Sequence, residues 1–327
     1  FIAAIIVHKK YIYTSVEKTE IINTDEEKIF KKYLNYCLPL VPYSWVAFAY
    51  IFVDRWLLQY YSGSVEQAYY TVAAQFAAIA LIFTTSILRI FWKEIAEAQE
   101  QGNNEHVRRL YKKVSRLLFF ISAFIAGFLI PWSEVIISNI LGENYKEGVS
   151  TLAIMFLYPV YQTMGQIGGT MLYASEKVLI QSIIGIVFMV ASMIVTYLVL
   201  APSDAFVAGL GLASEGLALK MVVMQFIQVN VTAYAIARIW NWSFDWLYQP
   251  FGLLSCIGLG WIVNAGATSF IGEMFPWFVT LFVSGVFYIF LVAILVYIMP
   301  WLIGMTRKEI YLAFNVGFTK LQSFCRV

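Results

Sequence analysis

The chain has 327 residues, of which 61% are hydrophobic, 17% aromatic and only 13% charged, about half the charged share of an ordinary soluble domain. That composition excludes a soluble cytoplasmic enzyme. The 22 Lys and Arg against 20 Asp and Glu leave a net charge of +2, too small a field to draw nucleic acid, so no nucleic-acid partner is expected. Cys37, Cys256, Cys325, His8 and His106 are scattered without metal-ligand spacing. Neither a metal, a cofactor nor a disulfide framework is expected.

Residues 1–7 are apolar but too short to span a bilayer. The basic His8, Lys9 and Lys10 follow this run rather than precede it, the reverse of a signal peptide. The simplest reading is the end of an earlier, truncated helix, with residues 8–36 a polar cytoplasmic linker. A spanning helix takes about 20 mostly apolar residues. Eight such runs follow, near 37–61, 68–92, 117–140, 149–173, 179–201, 213–238, 247–270 and 277–303, and 304–327 forms a polar tail. The expected fold is an all-α integral membrane bundle with eight complete transmembrane helices plus the end of an earlier one. Between the second and third runs, residues 93–116 read as two amphipathic helical pieces broken at Gly102-Asn103-Asn104. Their Arg108, Arg109, Lys112 and Lys113 suit contact with anionic membrane lipids.

Lys and Arg fall unevenly between the runs. Segments 8–36, 93–116, 174–178, 237–246 and 304–327 hold 18 of the 22, whereas the alternate segments hold only Lys146. The positive-inside rule puts the 18 in the cytoplasm, and the carboxyl terminus with them. The outer loops are too short to form a catalytic domain. No catalytic residue is expected, and the work must be done between helices.

Ionisable groups inside hydrocarbon are costly and mark function. Arg89 lies near the end of its run and can snorkel to the interface. Asp54 and Arg55 in the first run, Glu134 in the third and Glu215 and Lys220 in the sixth remain. Counting about 1.5 Å per residue from the run ends places Arg55, Lys220 and Glu134 at similar depth below the outer face. A water-filled cavity lined by Arg55 and Lys220 would reconcile them with the bilayer and suit an anionic ligand. Local pairing is the alternative. Asp54 and Arg55 point about 100° apart and cannot face each other, but an interhelical pair such as Arg55 with Glu134 would be structural or gating. Tyr43, Tyr50, Asp54 and Tyr61 form a polar stripe on the first run, and Tyr158, Gln162 and Gln166 repeat every four residues on the fourth.

The run Val53-Asp54-Arg55-Trp56-Leu57-Leu58 after Leu38-Pro39, the stretch Tyr60 to Tyr70, then Ile140 to Tyr145 and Gly209 to Ala218 carry a resemblance. In order and spacing they resemble the second half of bacterial polysaccharide (O-antigen type) flippases in the multidrug/oligosaccharidyl-lipid/polysaccharide exporter superfamily. Ala68, Leu141 and Ser214-Glu215 depart from that pattern. The resemblance implies a two-bundle fold in which 37–240 is the six-helix C-terminal bundle and 241–303 two additional helices. It also implies a transporter, not an enzyme, that moves an undecaprenyl diphosphate-linked oligosaccharide across the bacterial inner membrane by alternating access. Arg55 and Lys220, with Asp54, Gln162 and Gln166, would meet the substrate. Glu134 and Glu215 would gate or couple, with H+ or Na+ as the coupling ion. A drug or cation exporter of the same superfamily is the nearer alternative, and a membrane-embedded glycan polymerase or acyltransferase the farther.

Overall fold

The structure, a computed structural model, describes residues 26–270 and 275–309. The expected helix end at 1–7, most of the linker before residue 26 and the tail beyond residue 309 lie outside the described residues. The helices are α1 (Glu26–Cys37), α2 (Leu40–Glu100), α3 (Asn104–Leu129), α4 (Val149–Met155), α5 (Tyr158–Ala174), α6 (Val178–Leu200), α7 (Ala213–Ile239), α8 (Tyr248–Phe270) and α9 (Trp277–Ile298). Short helical turns fill Ile130–Gly148 and Pro300–Ile303, and no strand occurs among the described residues. The all-α, multi-span fold class holds.

Among the described residues six stretches are long and apolar enough to cross a membrane: Phe30–Ile82, Asn104–Leu141, Val178–Leu200, Ala213–Ile239, Tyr248–Phe270 and Trp277–Ile298. The eight expected runs differ from these at two places. The first two share α2, 61 residues long, which as a straight rod would reach about 90 Å. Gly63 interrupts it with φ +83° and ψ −177°, a conformation open to glycine and strained for any other residue. Lys32, just before the first arm, pairs with Glu176 at 2.8 Å, and Trp92, late in the second arm, stacks on Tyr173. The far ends of both arms therefore meet the same α5–α6 turn, so Gly63 reverses the chain. The fourth run is divided into α4 and α5, each below spanning length. Pro159 lacks the N–H that would continue the helical ladder from Met155.

These reversals sort the connections into two ends. At one, Tyr69 Oη donates to the Asn144 carbonyl at 3.1 Å and Ser214 N–H to Glu66 Oε2 at 3.1 Å. At the other lie Lys32 with Glu176, Arg116 with Asp245 and Lys113 with Glu309. The described Lys- and Arg-rich segments gather at this second end, as their alternation along the chain requires. There the Lys113 ammonium and the Thr306 N–H and hydroxyl hold the Glu309 carboxyl at about 2, tying residues 306–309 to α3. The break expected at Gly102-Asn103-Asn104 is present one residue earlier, at 101–103, with the Asn103 side chain capping α3 by accepting the His106 N–H at 3.1 Å.

In lipid, helices associate by close packing and interhelical hydrogen bonds rather than by expelling water. Both devices appear. Gly252, Cys256 and Gly260 recur every four residues on α8 and are buried. A Cβ on Gly260 would lie 1.9 Å from the Gly127 carbonyl oxygen, so α8 and α3 touch backbone to backbone. Tyr288 of α9 donates toward the Phe124 and Cys256 carbonyls at 3.0 and 3.2 Å. A hydroxyl chain of Thr84, Thr163 and Ser122, with steps of 3.3 and 3.1 Å, links the second arm of α2 to α5 and α3. The face bearing Phe278, Phe282 and Phe290 of α9 is exposed and suits acyl chains.

Candidate functional site: a buried ion pair beside an exposed arginine groove

Asp54 lies on the first arm of α2, nine residues before the Gly63 reversal, and faces inward. The Lys220 ammonium of α7 bonds its two carboxylate oxygens at 2.9 and 2.7 Å. The Thr196 hydroxyl of α6 donates to the same carboxylate at 2.6 Å and also to the Ser192 carbonyl at 2.8 Å. Tyr50, one turn before Asp54, puts its ring 4.7 Å from the ammonium and its hydroxyl 3.5 Å away. The Lys220 side chain is 0% exposed and that of Asp54 6%. Two charges in such a place are tolerable only because they compensate each other and their remaining bonding capacity is filled. The pair joins three helices, α2, α6 and α7, and neutralises both charges within the bundle.

The structure does not bring Arg55 and Lys220 into one cavity. Successive helical residues diverge by about 100°, so the inward turn of Asp54 sends Arg55 outward, where it is exposed. Arg55 lines an open groove of about 420 Å³ with Phe48, Phe52, Trp56 and Gln59 of the first arm and Gln67 of the second. Among the described residues it forms no ion pair. The amide oxygen of Gln67 is buried without a hydrogen-bond partner. One planar cation between aromatic faces is suited to an anionic, ring-bearing ligand.

The other expected residues scatter. Glu215 is exposed at the start of α7 and accepts a short hydrogen bond from the Ser150 hydroxyl, while Ser214 and Thr151 share one at 2.9 Å. These contacts fasten α7 to the α4 end. Glu134 is exposed and joins neither Arg55 nor any other described cation. Gln162 and Gln166 are half-buried on α5, and the Gln166 amide oxygen lacks a partner. Thr196, Gln67 and Glu66 escape the sequence reading. For Thr196 a signal existed, a hydroxyl near the end of an otherwise apolar run at about the depth of Asp54. For Gln67 there was none, because its place beside Arg55 in one groove depends on the chain reversal.

The fold and this site define an all-helical, multi-pass membrane protein with an ion pair stored inside its bundle and a cationic groove on its side. Residues 4–150 match the family described as polysaccharide biosynthesis protein. Two solved structures share the fold. The lipid II flippase MurJ in an inward closed conformation superposes with a TM-score of 0.57 at 16% identity, over 90% of this chain and 60% of that one. A MATE protein solved as a point mutant superposes with a TM-score of 0.56 at 13% identity, over 73% of this chain and 54% of that one. The chain thus spans little more than half the length of these structures. No curated protein matches it in sequence. The family match covers less than half of the chain, and the two solved structures have its fold in common over most of it.

Proposed function

We propose that the chain acts in a flippase that carries an undecaprenyl diphosphate-linked oligosaccharide from the inner to the outer leaflet of the bacterial cytoplasmic membrane by alternating access. The observation that carries this reading is the Arg55 groove. An exposed guanidinium without an ion pair among the described residues, beside Trp56, offers bidentate contact to a diphosphate and stacking to a sugar. The polysaccharide biosynthesis match and the flippase fold support it. In this reading residues 37–240 form the bundle that carries the groove and 241–303 two additional helices. The Asp54–Lys220 pair is the gating element. Both residues are immobilised by one another, and a proton or Na+ exchanged at Asp54 would free α7 from α2. Transport of this kind is conformational, so the residues bind and move rather than catalyse.

The test replaces Arg55 in the full chain at equal membrane abundance and measures surface polysaccharide. Arg55→Ala should lower it roughly tenfold or more, the loss of one charge-assisted hydrogen bond of about 1.5 kcal/mol, and Arg55→Lys should restore part of it. Unchanged polysaccharide in Arg55→Ala would refute the groove as the substrate contact. The second reading, compatible with the fold in common with the MATE protein, is a drug or cation exporter. Deletion would then raise sensitivity to a cationic dye and leave surface polysaccharide intact.

A further inference from the structure

A second basic site lies at the opposite, Lys- and Arg-rich end. A cavity of about 60 Å³ opens between the start of α3, the end of α7 and the connection to α8. By the volume a single water occupies, it holds roughly four to six water-sized groups, enough for a phosphate and too little for a sugar. Its floor is built. Arg116, with 11% of its side chain exposed, is held by Asp245, donates to the Trp301 carbonyl and stacks against the Tyr248 ring at 5.2 Å. Above it stand Lys112, 3.5 Å from the same Asp245 oxygen, and Arg108, whose contact across the cavity is the Ser243 hydroxyl at 3.4 Å.

Three cations thus line a cavity with one carboxylate, which only Arg116 and Lys112 contact. Arg108 and Lys112 are spaced i,i+4, where like charges destabilise a helix, and Arg109 and Lys113 are engaged elsewhere, with Glu105 and Glu309. The missing negative charge has a natural source. Trp242, stacked on Trp240 at 5.6 Å, lines the rim, and such tryptophans mark the headgroup level of a bilayer. The inner wall continues in apolar side chains of α5 and α7.

We propose that this cavity binds the phosphate of an anionic phospholipid, with Arg108 and Lys112 as the ligating cations and Arg116–Asp245 as the fixed floor. The site is independent of the Arg55 groove. The test incorporates the full chain into nanodiscs of mixed phosphatidylglycerol and phosphatidylcholine and weighs the lipids retained by native mass spectrometry. Wild type should retain phosphatidylglycerol over phosphatidylcholine about tenfold, and R108Q/K112Q should abolish that preference. The variant K93Q/R109Q removes the same charge from other exposed positions and should retain it. Excess inorganic phosphate, against chloride of equal ionic strength, should leave the retained phosphatidylglycerol in place. Equal retention by R108Q/K112Q, equal loss in K93Q/R109Q, or displacement by inorganic phosphate would each overturn the assignment. Because Arg108 and Lys112 are exposed, the folded state of the variant can be verified by its unchanged thermal transition.

Discussion

Lys220 keeps its charge inside the bundle because Asp54 lies 2.7 Å away and Thr196 and Tyr50 fill the remaining positions around the pair. Removing one partner strands the other. Lys220→Met alone should destabilise the protein by about 3–5 kcal/mol, whereas Asp54→Asn combined with Lys220→Met should recover most of that loss. Thermal unfolding in detergent measures both, and strictly additive losses would show that the two residues do not couple. The same double variant separates structure from gating: a folded protein that no longer transports supports the gate, and one that transports normally removes it. At this scale the sequence singled out the costly charges but neither their burial nor their partners, since Arg55, Glu134 and Glu215 are exposed and only Asp54 and Lys220 are buried. Asp54 and Lys220 stand out because charge in hydrocarbon is costly. Depth along a helix, however, does not reveal which face a side chain takes, and Arg55 shares its depth with Lys220 while pointing the other way.

Among the elements, the contact between α3 and α8 depends on what is missing from two residues. Gly127 and Gly260 meet where a Cβ on either would enter the other helix's backbone, at 2.6 Å from Cys256 C and 1.9 Å from Gly127 O. Gly260→Val should push α8 off α3 at a cost of about 1–3 kcal/mol. Gly258→Ala, on the same helix with nothing within 4 Å of its Cβ, should change stability by less than about 0.5 kcal/mol. Comparable falls in melting temperature for both variants would contradict the close crossing. The four-residue spacing of Gly252, Cys256 and Gly260 is visible in the sequence, but the helix it receives is not. Gly63 is a similar case. An apolar run on either side announced two helices, while the single residue that reverses them could be recognised only from its backbone angles.

Over the whole molecule, the charges sort to two ends before any fold is known. With the Lys- and Arg-rich end inside, a cysteine placed at Gly102 should react with an impermeant maleimide only after the membrane is opened. One placed at Asp204 should react in intact cells. The three native cysteines are first replaced by serine or alanine, and the reverse labelling pattern would invert the assigned orientation. The all-helical, multi-span class and the sorting of Lys and Arg to one end came from the chain by itself, because bilayer thickness and the cost of exposed backbone impose the class on any sequence of this hydropathy. Which charges meet was decided only in the tertiary structure. Pairing of Asp54 with Lys220 and of Arg116 with Asp245 joins residues 166 and 129 positions apart. Such encounters depend on the rotation of each helix about its axis and on the order in which helices pack, and the local pattern of apolar residues leaves both open.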